Sequence, residues 1–152
     1  MSRRAQQLDL LNDWTPPAAT VAFDDSRVRA ADLMGQISRV VGASLADAVL
    51  TRAEIAQRMS DFLGDTVTVN MLNAYSSQAR GEHVITLPRF IALIHATGDR
   101  RLMEWLAAPL RWSVIDSKHL PLIELAAIQE RQRDLHAAAE SLRRQAKQRG
   151  GL

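Results

Sequence analysis

Side chains that both donate and accept hydrogen bonds crowd one short stretch. Asn70, Asn73, Ser76, Ser77 and Gln78 follow Thr68, and Arg80 and His83 come just behind them. A solvated helix face usually carries Glu and Lys, whereas this one carries amides and hydroxyls. An amide can bond an adenine bidentately and a hydroxyl can bond any base, so the set suits the reading of base edges. The other account of the same residues is that a short helix frays, and Asn and Ser gather where helices end.

Other chemistry is not legible. Nothing matches Gly-x-x-x-x-Gly-Lys-Ser/Thr, so no phosphate-cradling loop is expected. His83, His95, His119 and His136 are scattered, with no pairing at metal-ligand spacing. His95 reads as a packed or solvent-edge residue. Ser76-Ser77 lacks the Gly-x-Ser-x-Gly setting of an activated nucleophile. Asp24-Asp25 beside Ser26 reads as a helix start rather than a metal site. Without cysteine there are no disulfides, thiolate metal sites or cysteine nucleophiles. The expectation is a chain that is not an enzyme and carries no metal and no cofactor.

The elements that must position Asn70 and Asn73 are three helices, each opened by threonine. Thr51 and Glu54 form a capping box, in which hydroxyl and carboxylate each take one orphan N–H. Ile55, Met59, Phe62 and Leu63 then recur at helical spacing, with Ala53 and Ala56 small enough for close packing. Gly64 stops that helix, because it takes positive φ cheaply. Thr68 opens the second helix, with Leu72 and Tyr75 as its buried positions and Met71 beside them. A loop from Ala79 to Ile85 follows. Thr86 opens the third helix with Pro88 in its first turn. Leu87, Phe90, Ile91, Leu93 and Ile94 supply its apolar face, and Gly98 ends it.

A helix with a central Ala, a turn, a short polar helix ending in an aromatic, a Gly-containing basic loop, then Thr-Leu-x-x-Phe and an Ala-Thr-Gly end: over about fifty positions this resembles the lambda-repressor-like (XRE-type) helix-turn-helix. The joint 64–67 is longer than usual. In that respect the chain is similar to regulatory proteins of Mu-like transposable phages and prophages and to the lambda CII-like group. The resemblance makes Thr51–Leu63 the first helix of the motif and Thr68–Ser77 the recognition helix. It implies that Thr68 contacts phosphate, that Val69 meets a thymine methyl, and that Asn70 and Asn73 read bases. Arg80 would grip the backbone, with Ser77, Gln78 and His83 nearby.

Charge qualifies that reading. The chain has a formal net charge of +2, yet residues 51–85 hold three Arg against four acids, and residues 117–152 hold seven bases against four. The motif itself is not a basic patch, although phosphate neutralisation carries much of DNA affinity. Oligomerisation, or phosphate contact by neighbouring Arg and helix N-termini, would have to compensate.

The remaining elements divide the chain. Residues 1–25 read as a flexible N-terminal arm, since Trp14-Thr15-Pro16-Pro17 forbids a helix. Within it Gln7-Leu8-Asp9-Leu10-Leu11 is similar to the short peptides that dock bacterial proteins onto the DNA polymerase sliding clamp, with Leu11 replacing the aromatic. The other reading has Leu8, Leu10, Leu11 and Trp14 fold back on the domain. Residues 26–108 form the helix-turn-helix domain. It starts with a helix from Arg27 to Val41, capped by Ser26, buried through Val28, Leu33, Ile37, Val40 and Val41, and ended by Gly42-Ala43-Ser44. Its last helix runs from Arg100 to Ala108. Residues 109–120 are a connector in which Leu110–Ile115 alternates like a short strand.

From Pro121 to Arg149 a long helix carries Leu125, Ile128, Gln132, Leu135, Ala139, Leu142 and Ala146 at alternating spacings of three and four, the a/d seam of a coiled coil. Residues 121–149 therefore read as an oligomerisation helix giving at least a dimer, against the alternative of an amphipathic helix lying on its own domain.

The fold class expected is all-α: a helix-turn-helix bundle of about five helices, an extended arm and a long C-terminal helix. With 47% hydrophobic residues a core is assured. No eighteen-residue apolar run exists, and no apolar segment follows Met1-Ser2-Arg3-Arg4, so no membrane association and a cytoplasmic location are expected. The function expected is sequence-specific binding of double-stranded DNA, in transcription regulation or in organising DNA during replication or transposition. The competing expectation is a non-catalytic adaptor that uses the motif as a scaffold and its arm and C-terminal helix to hold partners.

Overall fold

Side-chain caps set where five of the seven α-helices among the described residues begin. The computed structural model describes residues 20–77 and 83–150, together with 15 and 17. Every element among them is helical and none is a strand. Residues 19–114 form one compact unit, and the C-terminal helix lies in another. No single helix among the described residues is long and apolar enough to cross a membrane.

The unit 19–114 opens with α1 (Asp25–Val28), capped by Asp24, whose carboxylate accepts from Ser26 N at 2.8 Å. The single helix expected from Arg27 to Val41 is in fact two. Arg29 turns extended, and Asp32 starts a new helix, α2 (Leu33–Asp47), by accepting from Gly35 N at 2.7 Å. A second carboxylate at cap position outcompetes helix continuation through Ala30-Ala31. Gly42-Ala43-Ser44 does not end α2. Gly42 sits mid-helix beside Ser76, where an added Cβ would make ordinary contact at 3.5 Å from the Ser76 Cβ, so it neither stops the helix nor takes a left-handed φ.

The capping box forms as expected. Glu54 N donates to Thr51 Oγ1, and Thr51 N donates to the Glu54 carboxylate at 2.8 Å, opening α3 (Arg52–Leu63). Gly64 closes it at φ 65°. The joint 64–67 is pinned by Ser60. Its hydroxyl donates to Ala56 O and accepts from Val67 N, both at 2.8 Å, and Val67 is buried. Thr68 caps α4 (Val69–Tyr75), accepting from Met71 N at 3.2 Å. Thr86 precedes α5 (Leu87–Thr97) without a side-chain cap bond, and Gly98 ends it at φ 67°. Asp99 caps α6 (Arg100–Ala107).

The core gathers Val40 and Val41 of α2, Ile55 and Met59 of α3, Leu72 and Tyr75 of α4, Phe90 and Leu93 of α5 and Leu102 of α6. The helices α3 and α5 pack most extensively. Leu33, Phe62, Leu87 and Ile91, expected inside, are exposed, and so is Ala53. Each sits at the edge of its apolar stripe, where helical spacing alone does not separate core from rim. Phe23 is the opposite case. Assigned to the arm, it is 6% exposed within the core, with the Arg101 guanidinium 4.3 Å over its ring.

Arg101 also binds Asp99 through two nitrogens, at 2.9 and 2.8 Å, and reaches Asp47 at 2.9 Å. Arg27 meets Asp47 bidentately at 2.8 Å. This clasp fastens the entry segment and the C-terminal end of α2 to the start of α6. Hydrogen bonds from Arg27 and then Arg101 hold the Asp47 carboxyl at about 2, below its ordinary 3.8. The folded value is the lower one, so the stabilisation is complete above pH about 4 and is lost as pH falls toward 2. Asp47→Asn should therefore flatten part of the parent's decline in urea midpoint between pH 5 and 2.5. Identical slopes for the two proteins would remove Asp47 from the account.

The strand expected at 110–115 is absent. A short 3-10 turn (Ala108–Leu110) is followed by Arg111 at φ 60°, which reverses the chain. Trp112 N donates to Ala107 O at 3.2 Å and Val114 N to the Glu104 carboxylate at 2.8 Å. The N–H groups of Arg111, Trp112 and Val114 thus find acceptors nearby in the chain and not on a neighbouring strand.

In the other unit, a 3-10 turn (Ser117–His119) leads into α7 (Leu120–Gln148), with Pro121 in its first turn. At 29 residues it is about 43 Å long. None of its residues is buried.

Candidate nucleic-acid interface

The short helix α4 is laid down by its apolar residues. Leu72, Ala74 and Tyr75 enter the core, which turns Asn70 and Asn73 outward. Tyr75 is anchored at its polar end as well: its hydroxyl accepts from Arg89 Nη1 at 2.6 Å, and Arg89 Nη2 lies 3.7 Å from Asp65 in the joint. The orientation of α4 is thus held from α3 through Ser60 and Val67, and from α5 through Arg89.

The residues expected to form the site fare differently. Thr68 is exposed, with its hydroxyl engaged as the cap of α4. Asn70 and His83 are exposed, and Ser77 is half-buried. Val69, expected to point outward toward a thymine methyl, is instead half-buried and packed against the core. It sits three residues before Leu72, which places both on one helix face. Gln78 and Arg80 lie outside the described residues, as does the Gln7, Leu8, Leu10, Leu11 peptide.

Asn73 is exposed but engaged. Its side-chain oxygen accepts from Arg52 Nη1, which also lies 3.4 Å from the Ser76 hydroxyl. Ser76 in turn donates to the Asn73 carbonyl at 3.1 Å. Arg52 is the residue that sequence reasoning missed. The available signal was its position: it stands at the first residue of α3, where the positive end of the helix dipole disfavours a cation. With its oxygen already accepting from Arg52, exposed Asn73 has its two amide N–H donors left to offer beside a guanidinium. That array matches acceptor atoms such as guanine O6 and N7 or phosphate oxygens better than the donor–acceptor pair of adenine.

On another part of the same unit, the Phe62 ring stacks on His95, centroids 4.4 Å apart, near the exposed Leu87 and Ile91 of α5. Among the described residues no three His, Asp or Glu converge as a metal site. No family model, curated protein or solved structure matches this chain.

Proposed function

We propose that the chain is a sequence-specific double-stranded DNA-binding protein of phage or prophage type. In this reading α3 and α4 are the two helices of a lambda-repressor-like motif, and α4 enters the major groove. The observation that carries it is α4 itself: a seven-residue helix locked into the core by Leu72 and Tyr75, whose outward side presents Asn70 and the Asn73–Arg52 pair. Transcription regulation, or the organisation of DNA in replication or transposition, is the role such a reader would serve. Its place would be the cytoplasm.

The test is binding to duplex DNA across a salt titration, first with random sequence and then with a selected site. Asn73→Ala should cost ~1–3 kcal/mol on the preferred site and relax its specificity. Arg52→Ala should cost a similar amount. The double variant should cost less than the two singles together, because they share one contact. Arg80→Ala should weaken all duplexes alike and reduce the salt slope by about one. A protein that binds no duplex at low salt would instead be the adaptor. The exposed row of Phe62, Leu87 and Ile91 favours that reading as a docking face.

A further inference from the structure

On α7, Ile128, Leu135 and Leu142 stand seven residues apart and are 56, 63 and 65% exposed. Between them fall Leu125, Gln132, Ala139 and Ala146, which complete a continuous seam of one helix face. Charges of both signs occupy the remaining surface, including Arg143 paired with Glu140 at 3.0 Å. Leu125 is half-buried, but from Ile128 onward the stripe is exposed, and an exposed apolar stripe with a heptad period is covered best by a helix of the same period. A second copy of α7 meets that condition.

We propose that α7 pairs with the α7 of a second copy, and that the two helices run antiparallel. The orientation follows from side-chain size. A parallel pair sets each a residue against itself, giving two layers of facing alanines at 139 and 146 and a Gln132 layer, with Arg131 beside the partner's His136. Such layers underfill or desolvate three of the seven positions of the seam. An antiparallel pair sets a against d. Leu125 then faces the partner's Leu142, Gln132 the partner's Leu135, and Ala139 the partner's Ile128. Gln132 and Ala139 each meet a large apolar residue, the alternation that fills a core, while Ala146 falls beyond the last paired layer, opposite Pro121. Arg131 then lies beside the partner's Ala138. Six paired seam side chains from each copy, at roughly 80 Å² each, cover on the order of 1,000 Å², the lower bound for a specific interface.

The geometry also sets a spacing. In this register the two Leu120 residues, where each α7 begins, are about 40 Å apart along the pair. The pairing itself stands without the DNA reading, and its test involves no DNA.

Light scattering on the full chain should give twice the monomer mass at tens of micromolar. Leu135→Glu should return the monomer mass, and Arg133→Glu, on the other face, should keep the dimer. The chain has no cysteine, so single cysteines report orientation directly. An equimolar mixture of Leu125→Cys and Leu142→Cys should oxidise to the mixed disulfide, while each variant alone stays unlinked. A monomeric parent would overturn the proposal, since the stripe must then rest on its own chain or on a foreign partner. Self-linking of Leu125→Cys would overturn the antiparallel arrangement.

Discussion

Phe23→Ala is expected to destabilise the unit 19–114 by about 3–5 kcal/mol, the usual cost of emptying a buried aromatic site. Phe23 is 6% exposed and lies in the same cluster as Val28, Val41 and Leu102. Truncation removes its apolar burial, leaves a cavity, and takes away the ring on which the Arg101 guanidinium rests at 4.3 Å. Phe23→Leu separates these contributions: it keeps most of the apolar volume, loses the cation–ring contact, and should cost less than half as much. Urea denaturation followed by circular dichroism measures both. A Phe23→Ala midpoint equal to the parent's would return Phe23 to an arm that folding does not need.

Tyr75→Ala should cost about 3 kcal/mol or more by the same reasoning, with a further consequence. Tyr75 is 5% exposed, and its hydroxyl is the acceptor for Arg89. Removing the side chain deprives the guanidinium of that partner and frees the C-terminal turn of α4. Tyr75→Phe keeps the ring and removes only the acceptor, so it should lose ~1.5–3 kcal/mol, the range for a hydrogen bond to a charged group. Melting of both variants together with the parent would show that α4 is held by Leu72 alone. Asn73→Ala, whose side chain is on the surface, is the control and should melt close to the parent.

Helix ends were legible in the sequence wherever one residue suffices to make them. Thr51 with Glu54, Gly64, Thr68, Gly98 and Asp99 all stand where expected, because each cap depends on its own few neighbours. The misreadings needed knowledge from farther away. Gly42 resembles a stop, but the helix continues through it to Asp47, because its neighbours on both sides pack into the core. Asp32 lies inside the periodic run 27–41, and its carboxylate takes the Gly35 N–H to start a new helix there. Leu110 to Ile115 alternated as a strand would, yet Glu104 and Ala107 supply the acceptors that a neighbouring strand would have supplied.

The candidate site divides in the same way. Asn70 and Asn73 were identifiable by residue type and helical spacing. Arg52 was not, because it reaches Asn73 from twenty-one positions away. Val69 was misjudged because a seven-residue helix has little surface to spare, and its first turn packs as well as faces outward.

The Arg101 clasp has a consequence in time. Its bond to Asp47 spans fifty-four positions, and Phe23 is farther still, whereas the caps of α3 and α4 close over three. Contacts between distant residues must wait for the loops between them to close, so the local turns form early and the clasp late. A late-forming clasp barely alters the folding rate, and its loss mainly speeds unfolding. Arg101→Met should therefore leave the refolding limb of a stopped-flow chevron nearly where it was and raise the unfolding limb. A slowed refolding limb would place the clasp in the nucleus instead. In that sense Arg101 sets how long the folded chain lasts more than how quickly it arrives.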